Sequence, residues 1–179
     1  MRRLEIGPGH ERLEGFETFN VVRTPFTDHV GDARQLPFGD GAFDEVYSSH
    51  CIEHFEWFEI DRVIAEWSRV VKPGGSLEIH TVNASPLMRA LLGDVDVQPG
   101  RWRSDLHGHD PYKWAAGRIL NYRRGGEGGA HWLHRSILTP EYLHRCFAAA
   151  GLVDLEEITE PKGAKKHRGI NMGLRGRKC

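Results

Sequence analysis

The stretch Ile60-Asp61-Arg62-Val63-Ile64-Ala65-Glu66-Trp67-Ser68-Arg69-Val70-Val71, followed by Lys72-Pro73-Gly74-Gly75 and then Ser76-Leu77-Glu78-Ile79-His80-Thr81-Val82, changes its hydrophobic period halfway along. In the first part Ile60, Val63, Ile64, Trp67, Val70 and Val71 recur at helical spacing, which lines one side of a helix over 60–71. Lys72-Pro73-Gly74-Gly75 ends it, since proline lacks the amide a helix needs and glycine favours turns. In the last part apolar and polar residues alternate, as in a strand. Upstream, Phe43-Asp44-Glu45-Val46-Tyr47 is another strand candidate. Strand, helix and strand in that order form the unit of a parallel sheet with helices on its faces.

Working outward, Leu4-Glu5-Ile6 reads as a strand that stops at Gly7-Pro8-Gly9, and Thr18 to Val22 as a second. On the other side, Thr139 caps a helix that opens with Pro140 and carries Leu143, Cys146, Phe147 and Ala150 as its stripe before Gly151. Leu152 to Ile158 and Gly169 to Leu174 close the chain as strands. The expected fold is α/β, a Rossmann-like doubly wound, mostly parallel sheet with an antiparallel final strand. Only His10 to Glu17 and Arg23 to Thr27 are available for the first two crossovers, against the dozen residues a parallel connection normally takes. Those helices must be shortened or absent, with Val30 to Asp32 an extended segment.

At 179 residues the chain is expected to form one domain, 1–179, with 84–134 as a substrate-side insertion. Its 39% hydrophobic and 27% charged residues are those of an ordinary globular protein. With neither an apolar run of membrane-spanning length nor a signal-peptide pattern, the expectation is a cytoplasmic protein without a membrane partner. Cys51, Cys146 and Cys179 lie far apart, which argues against a disulfide framework or zinc knuckle. Lys162 to Lys178 holds seven of the 24 bases and none of the 25 acids, so the rest of the chain is acidic. That balance argues against a global nucleic-acid binder.

Ligands in such sheets bind at the carboxyl ends of the strands. Gly7-Pro8-Gly9 offers a backbone a ligand can approach closely, but the dinucleotide fingerprint would need a third glycine at Arg12, and there is no P-loop lysine. The neighbouring motifs add what this turn lacks. Leu4 to Gly9, Gly31-Asp32-Ala33-Arg34-Gln35-Leu36-Pro37-Phe38, Phe43 to His50, Ile52-Glu53-His54-Phe55 and Arg69 to Gly75, in that order, resemble the class I S-adenosylmethionine-dependent methyltransferases, and most of all their compact type 11 group.

The resemblance implies S-adenosyl-L-methionine as cofactor, with Gly7, Pro8 and Gly9 against its methionine part and Glu5 near its amino group. It implies that Asp32 accepts from the adenine amino group, that the Ala33 amide meets a ring nitrogen, and that Ser48, Ser49 and His50 line the floor beneath the sulfonium. Leu36 and Phe38 either wall the adenine or belong to the core. In the family an acid at the end of the second strand holds the ribose hydroxyls. Val22 stands where that acid is expected, leaving Asn20, Asp28 or the loop from His10 to Arg12 as substitutes.

The implied activity is methyl transfer to an oxygen or nitrogen of a small molecule. A base is needed only if the acceptor must lose a proton, and His50, His107 and His109 are the candidates. His54 is expected to be structural. His107-x-His109 with His131-x-x-His134 is weak as a metal set because loops lack fixed helical geometry, so no metal is expected. Trp102, Tyr112, Trp114, Tyr122 and Trp132 form either an acceptor pocket or core, and Gly125 to Gly129 either a lid or a plain loop. The basic tail reads as a solvated strand, a grip on an anionic acceptor, or an RNA contact. The alternatives are a non-catalytic cofactor-binding or regulatory protein on the same scaffold, and an RNA methyltransferase. Apolar surface left by a shortened sheet half would favour a homodimer.

Overall fold

The structure, a computed structural model, describes residues 1–94, 96–101, 103–120, 133–163 and 169–179. Its strands are β1 (Arg3–Ile6), β2 (Glu17–Asn20), β3 (His29–Val30), β4 (Phe43–Ser49), β5 (Val71–Val82), β6 (Leu152–Glu157) and β7 (Asn171–Lys178). Its helices are α1 (Ile60–Arg69), α2 (Ala84–Leu91), α3 (Ser104–His107), α4 (Pro111–Leu120) and α5 (Pro140–Ala149). The strands form one sheet in the order β3-β2-β1-β4-β5-β7-β6. β1 to β5 pair in parallel, and β7 runs antiparallel to both of its neighbours.

The register explains how a sheet without its first two crossover helices remains stable. On one face, neighbouring strands align Phe19, Ile6, Ser48, Ile79 and Leu174. This face packs against Ile60, Val63, Ile64 and Trp67 of α1 and Leu143, Cys146 and Phe147 of α5, all buried in one core. One residue back, on the opposite face, the same pairing aligns Thr18, Glu5, Tyr47, Glu78 and Arg175. A parallel sheet covered by helices on both faces reads as continuous apolar runs. Here the strands alternate, because loops cover the second face. Glu5 Oε2 accepts the Leu13 amide at 2.8 Å. The Tyr47 hydroxyl donates to the Lys162 carbonyl at 3.1 Å, and Phe16 stands edge-on to the Tyr47 ring at 6.2 Å.

Three boundaries differ from expectation. β2 ends at Asn20 rather than Val22, because the chain turns away where Asn20 Oδ1 accepts the Val21 amide at 2.9 Å. The helix ends at Arg69, and β5 opens at Val71, paired with Phe43, before a register shift leads into the regular ladder. β7 spans Asn171–Lys178 rather than stopping at Leu174. Its later arginines stay in the ladder because Arg175 pairs with Glu78 (2.8 Å) and Glu156 (3.2 Å), and Arg177 with Asp154 (2.5 Å). Lys162 reaches Glu45 (2.5 Å) and Glu78 (2.8 Å). These bases of the tail therefore serve the sheet. Lys165, Lys166 and Arg168 lie outside the described residues. So do Trp102, Tyr122, Trp132, His131 and the run Gly125 to Gly129.

Within the expected insertion the sequence reading missed helices. α2 and α4 stack, burying Leu87, Ala90, Trp114 and Ala115 with Ile170 in a small second core. Asn83 caps α2 by accepting the Ser85 amide at 2.9 Å. Among the described residues no helix is long and apolar enough to cross a membrane.

Glu78 ties the polar face to pH. Burial opposes its ionisation, but hydrogen bonds from His80, Lys162 and Arg175 lower its carboxyl to about 2. A carboxyl depressed in the fold stabilises it fully above the unfolded value of about 4.3, and that stabilisation is lost as pH falls from there towards 2. Thermal midpoints of the wild type are expected to drop across this window, and the drop for Glu78→Gln to be shallower. Parallel curves for the two proteins would contradict this role.

Candidate active site

The carboxyl ends of β1, β2, β4 and β5 lie side by side, and β7, running the other way, brings its first residue, Asn171, opposite Val82 at the same end. After β1, Gly7 and Gly9 both adopt left-handed conformations, with φ +72° each. The Gly7 amide donates to the Phe19 carbonyl at 2.9 Å. A Cβ on Gly7 would lie 2.7 Å from both Cβ and Sγ of Cys51, so the turn after β1 fits closely against the chain leaving β4. Ser48 is buried and donates to the Ile6 carbonyl at 3.0 Å, which locks these two strand ends together.

After β2, the strand-end position belongs to Asn20. Asp28 is occupied elsewhere, accepting from Arg12 at 2.9 Å and from the Thr18 amide at 3.0 Å. The segment after β3 is held by α1. Trp67 Nε1 donates to the Ala33 carbonyl at 2.9 Å, Glu66 accepts the Leu36 amide at 2.7 Å, and Arg69 donates to the Leu36 carbonyl at 3.2 Å. Asp32 itself is exposed. It accepts the Arg34 amide at 2.9 Å, and the Arg34 guanidinium is shared between Asp32 and Glu59. Leu36 is core, and Phe38 packs edge-on to Phe19 and Phe43.

His50 follows β4 in a left-handed conformation, φ 51°, that is uncommon for a side chain of its size. Its Nδ1 lies 3.0 Å from Glu53 Oε1, and its Nε2 3.0 Å from Asn171 Oδ1. Desolvation would raise the buried Glu53 carboxyl. The hydrogen bond from His50, with the charges of His50, His54 and His134, instead holds it well below the usual carboxylate range. The Glu53 carbonyl accepts the amides of Arg135 (2.8 Å) and Ser136 (3.3 Å). His54 Nδ1 lies 3.1 Å from the Leu133 carbonyl.

Glu5, Gly7, Gly9, Ser48, Ser49 and His50 thus lie at or beside the carboxyl ends of the neighbouring strands β1 and β4, whereas His107 ends α3 and His109 follows it. His107 is buried, and its Nδ1 accepts the His109 amide at 3.1 Å. Among the described residues no group of three His, Cys, Asp or Glu side chains is arranged to hold a metal ion. The reading of the sequence overlooked Asn171. The available signal was the alternation of Ile170, Met172 and Leu174, which places Asn171 on the opposite, polar face of its strand.

Residues 11–79, from the loop after β1 into β5, match a family model described as a methyltransferase domain, of the type 11 group. Over this stretch, about two fifths of its length, the chain is similar to that methyltransferase family. It is 46% identical over 77 residues to ajmaline N-methyltransferase of Rauvolfia serpentina, a match covering 42% of this chain and 26% of the relative. The chain spans between about a quarter and a third of the length of the curated relatives it matches. A Thermotoga maritima SAM-dependent methyltransferase, titled a possible histamine N-methyltransferase, shares the fold with a TM-score of 0.52, at 17% identity over 99% of this chain and 82% of that one. The [4+2]-cyclase SpnF shares it with a TM-score of 0.55, at 18% identity over 99% of this chain and 75% of that one.

Proposed function

We propose that the chain transfers a methyl group from S-adenosylmethionine to an oxygen or nitrogen of a small molecule. The observation that carries this reading is that the Gly7-Pro8-Gly9 turn, the Asp32 segment and His50 all follow the carboxyl ends of the parallel strands β1, β3 and β4, within and beside the stretch similar to a methyltransferase domain. The donor set suits such a cofactor. Two glycines leave backbone open to close approach, and the exposed Asp32 carboxylate can accept from an amino group. Asn20 can offer ribose hydroxyls one acceptor and two donors, where a carboxylate would offer acceptors only.

When bound, the cofactor supplies an electrophilic methyl group. The chain's own contribution is positional. Gly7, Pro8 and Gly9 take the methionine end, and Glu5 braces the loop above them through the Leu13 amide. Asp32 and Ala33 orient the adenine, with Ala33 fixed by Trp67. Holding the acceptor in line with the methyl group then supplies most of the acceleration. One feature favours a second reading, in which the scaffold binds the cofactor without turnover: Asn20 replaces the acid at the ribose position. A shared fold does not fix the chemistry.

Calorimetric titration of Asp32→Ala separates cofactor recognition from fold likeness. A lost hydrogen bond to a charged acceptor costs about 1.5–3 kcal/mol, a tenfold to hundredfold loss of affinity for S-adenosylmethionine. Unchanged affinity would remove Asp32 from the site.

A further inference from the structure

At the strand ends runs a chain of polar groups, buried at Glu53, His80 and Glu78 and half-buried at His50 and Asn171, most of which the expected cofactor contacts leave unused. From one end it comprises Glu53, His50, Asn171, His80 and Glu78, and each link is a hydrogen bond whose direction follows from the next. Asn171 Nδ2 lies 2.7 Å from the Thr159 carbonyl, which can only accept, so the amide orientation is fixed. Its Oδ1 therefore faces His50 Nε2 at 3.0 Å, and that nitrogen must carry a hydrogen. The second hydrogen of Nδ2 points to His80 Nδ1 at 3.3 Å, which must be the bare nitrogen. His80 Nε2 then carries its hydrogen and donates to Glu78 Oε1 at 2.8 Å. At the other end His50 Nδ1 meets the Glu53 carboxylate at 3.0 Å, so with Glu53 ionised this nitrogen is protonated too.

The surroundings are built for this arrangement. His80 is fully buried, and a Cβ on Gly173, its partner across β7, would lie 2.3 Å from His80 Nδ1 and 2.5 Å from the Ile158 carbonyl. Only a glycine lets β7 pass this close. The groups facing the chain are Tyr47 against the His80 ring (5.7 Å), Lys162 and Arg175 on Glu78, and His54 and His134 near Glu53. The left-handed backbone of His50 is a strain of the kind that persists where surrounding contacts over-determine it.

We propose that Asn171 is a positioning residue: oriented by the Thr159 carbonyl and the His80–Glu78 pair, it holds His50 as a hydrogen-bond donor with no lone pair for a proton, so that the site serves a neutral amine acceptor. The substrate class rests on the methyltransferase reading, whereas the state of His50 does not. A neutral amine needs no base ahead of transfer. Its lone pair forms the new N–C bond as the C–S bond breaks with its electrons left on sulfur, and the resulting ammonium releases its proton to water afterwards. A hydroxyl acceptor would instead require a nearby group able to take its proton, and His50 held in this way is not one.

The test is a long-range proton–nitrogen NMR spectrum of the full chain labelled with nitrogen-15 histidine, recorded at neutral pH. The expected result is two protonated ring nitrogens at His50 and one bare nitrogen, Nδ1, at His80. In Asn171→Leu, a bare nitrogen is expected to appear at His50. In the near-isosteric Asn171→Asp, a carboxylate facing His80 is expected to draw a proton onto its Nδ1, which keeps the test decisive if the leucine variant does not fold. A bare nitrogen at His50 in the wild type, or His50 and His80 signals unmoved in both variants, would overturn the proposal. Titration of the same wild-type sample with S-adenosylmethionine separates the two readings, since absent binding strikes the methyltransferase assignment and leaves the histidine result standing.

Discussion

Trp67→Ala is expected to lose about 3–5 kcal/mol of stability, the range for truncating a fully buried aromatic side chain. Trp67 has no exposed surface, sits in the core between α1 and the sheet, and packs edge-on to Phe55 at 5.9 Å. Its indole also donates to Ala33, so the variant should loosen the segment after β3 as well as the core. Trp67→Phe isolates the second effect, since it keeps most of the packing and leaves the buried Ala33 carbonyl without its donor, a cost of about 1–3 kcal/mol. Urea unfolding of both variants measures the two losses. Equal losses would mean that packing contributes nothing beyond the hydrogen bond, contrary to this description of the core.

Gly7→Ala has the second large effect, and it acts at the site itself. A left-handed conformation costs an L-residue about 1–2 kcal/mol, and overpacking costs a further 1–3 kcal/mol or so. Both apply here, because Gly7 has φ +72° and its Cβ would meet Cys51 at 2.7 Å. The variant is expected to be less stable by the sum of these and to bind S-adenosylmethionine poorly. Adding Cys51→Gly should recover the steric part while the backbone strain remains, a coupling that a double-mutant cycle reads directly. Strictly additive losses would show that the two strand ends do not press on each other.

Much of this architecture was written in local pattern. The switch from helical to alternating spacing between Ile60 and Val82 announced α1 and β5, and the short gaps after Gly9 and Arg23 announced the missing crossovers. The clean alternation of Leu77, Glu78, Ile79 and His80 held more than a strand, for a sheet sheathed in helices on both faces has no use for it. It marked the loop-covered polar face on which Glu5, Tyr47 and Glu78 align. Less legible were α2 and α4, whose apolar residues pack against each other and against Val82, Val97, Leu106 and Ile170, so their pattern makes sense only once those distant residues are placed. The position of Asn20 was blurred for a different reason. Val21 and Val22 favour a strand by propensity, but the Asn20 side chain accepts the Val21 amide where the chain turns away.

The candidate site divides in the same manner. Gly7, Gly9 and Asp32 follow strands in sequence, Ser48 lies near the end of one, and that alone could place them. Asn171 lies 121 residues beyond its partner His50, and no local pattern joins them. The link exists because β7 runs antiparallel and delivers its first residue to the end of the sheet where the parallel strands finish.

The carboxyl end of this sheet is proposed to hold S-adenosylmethionine. Calorimetric titration of the purified wild type with S-adenosylmethionine and with S-adenosylhomocysteine tests it most directly. Saturable one-to-one binding of both is expected, with Asn20 serving at the ribose position. Absence of heat and of competition with either ligand would contradict it, and would mean that the chain keeps the methyltransferase fold without the cofactor site.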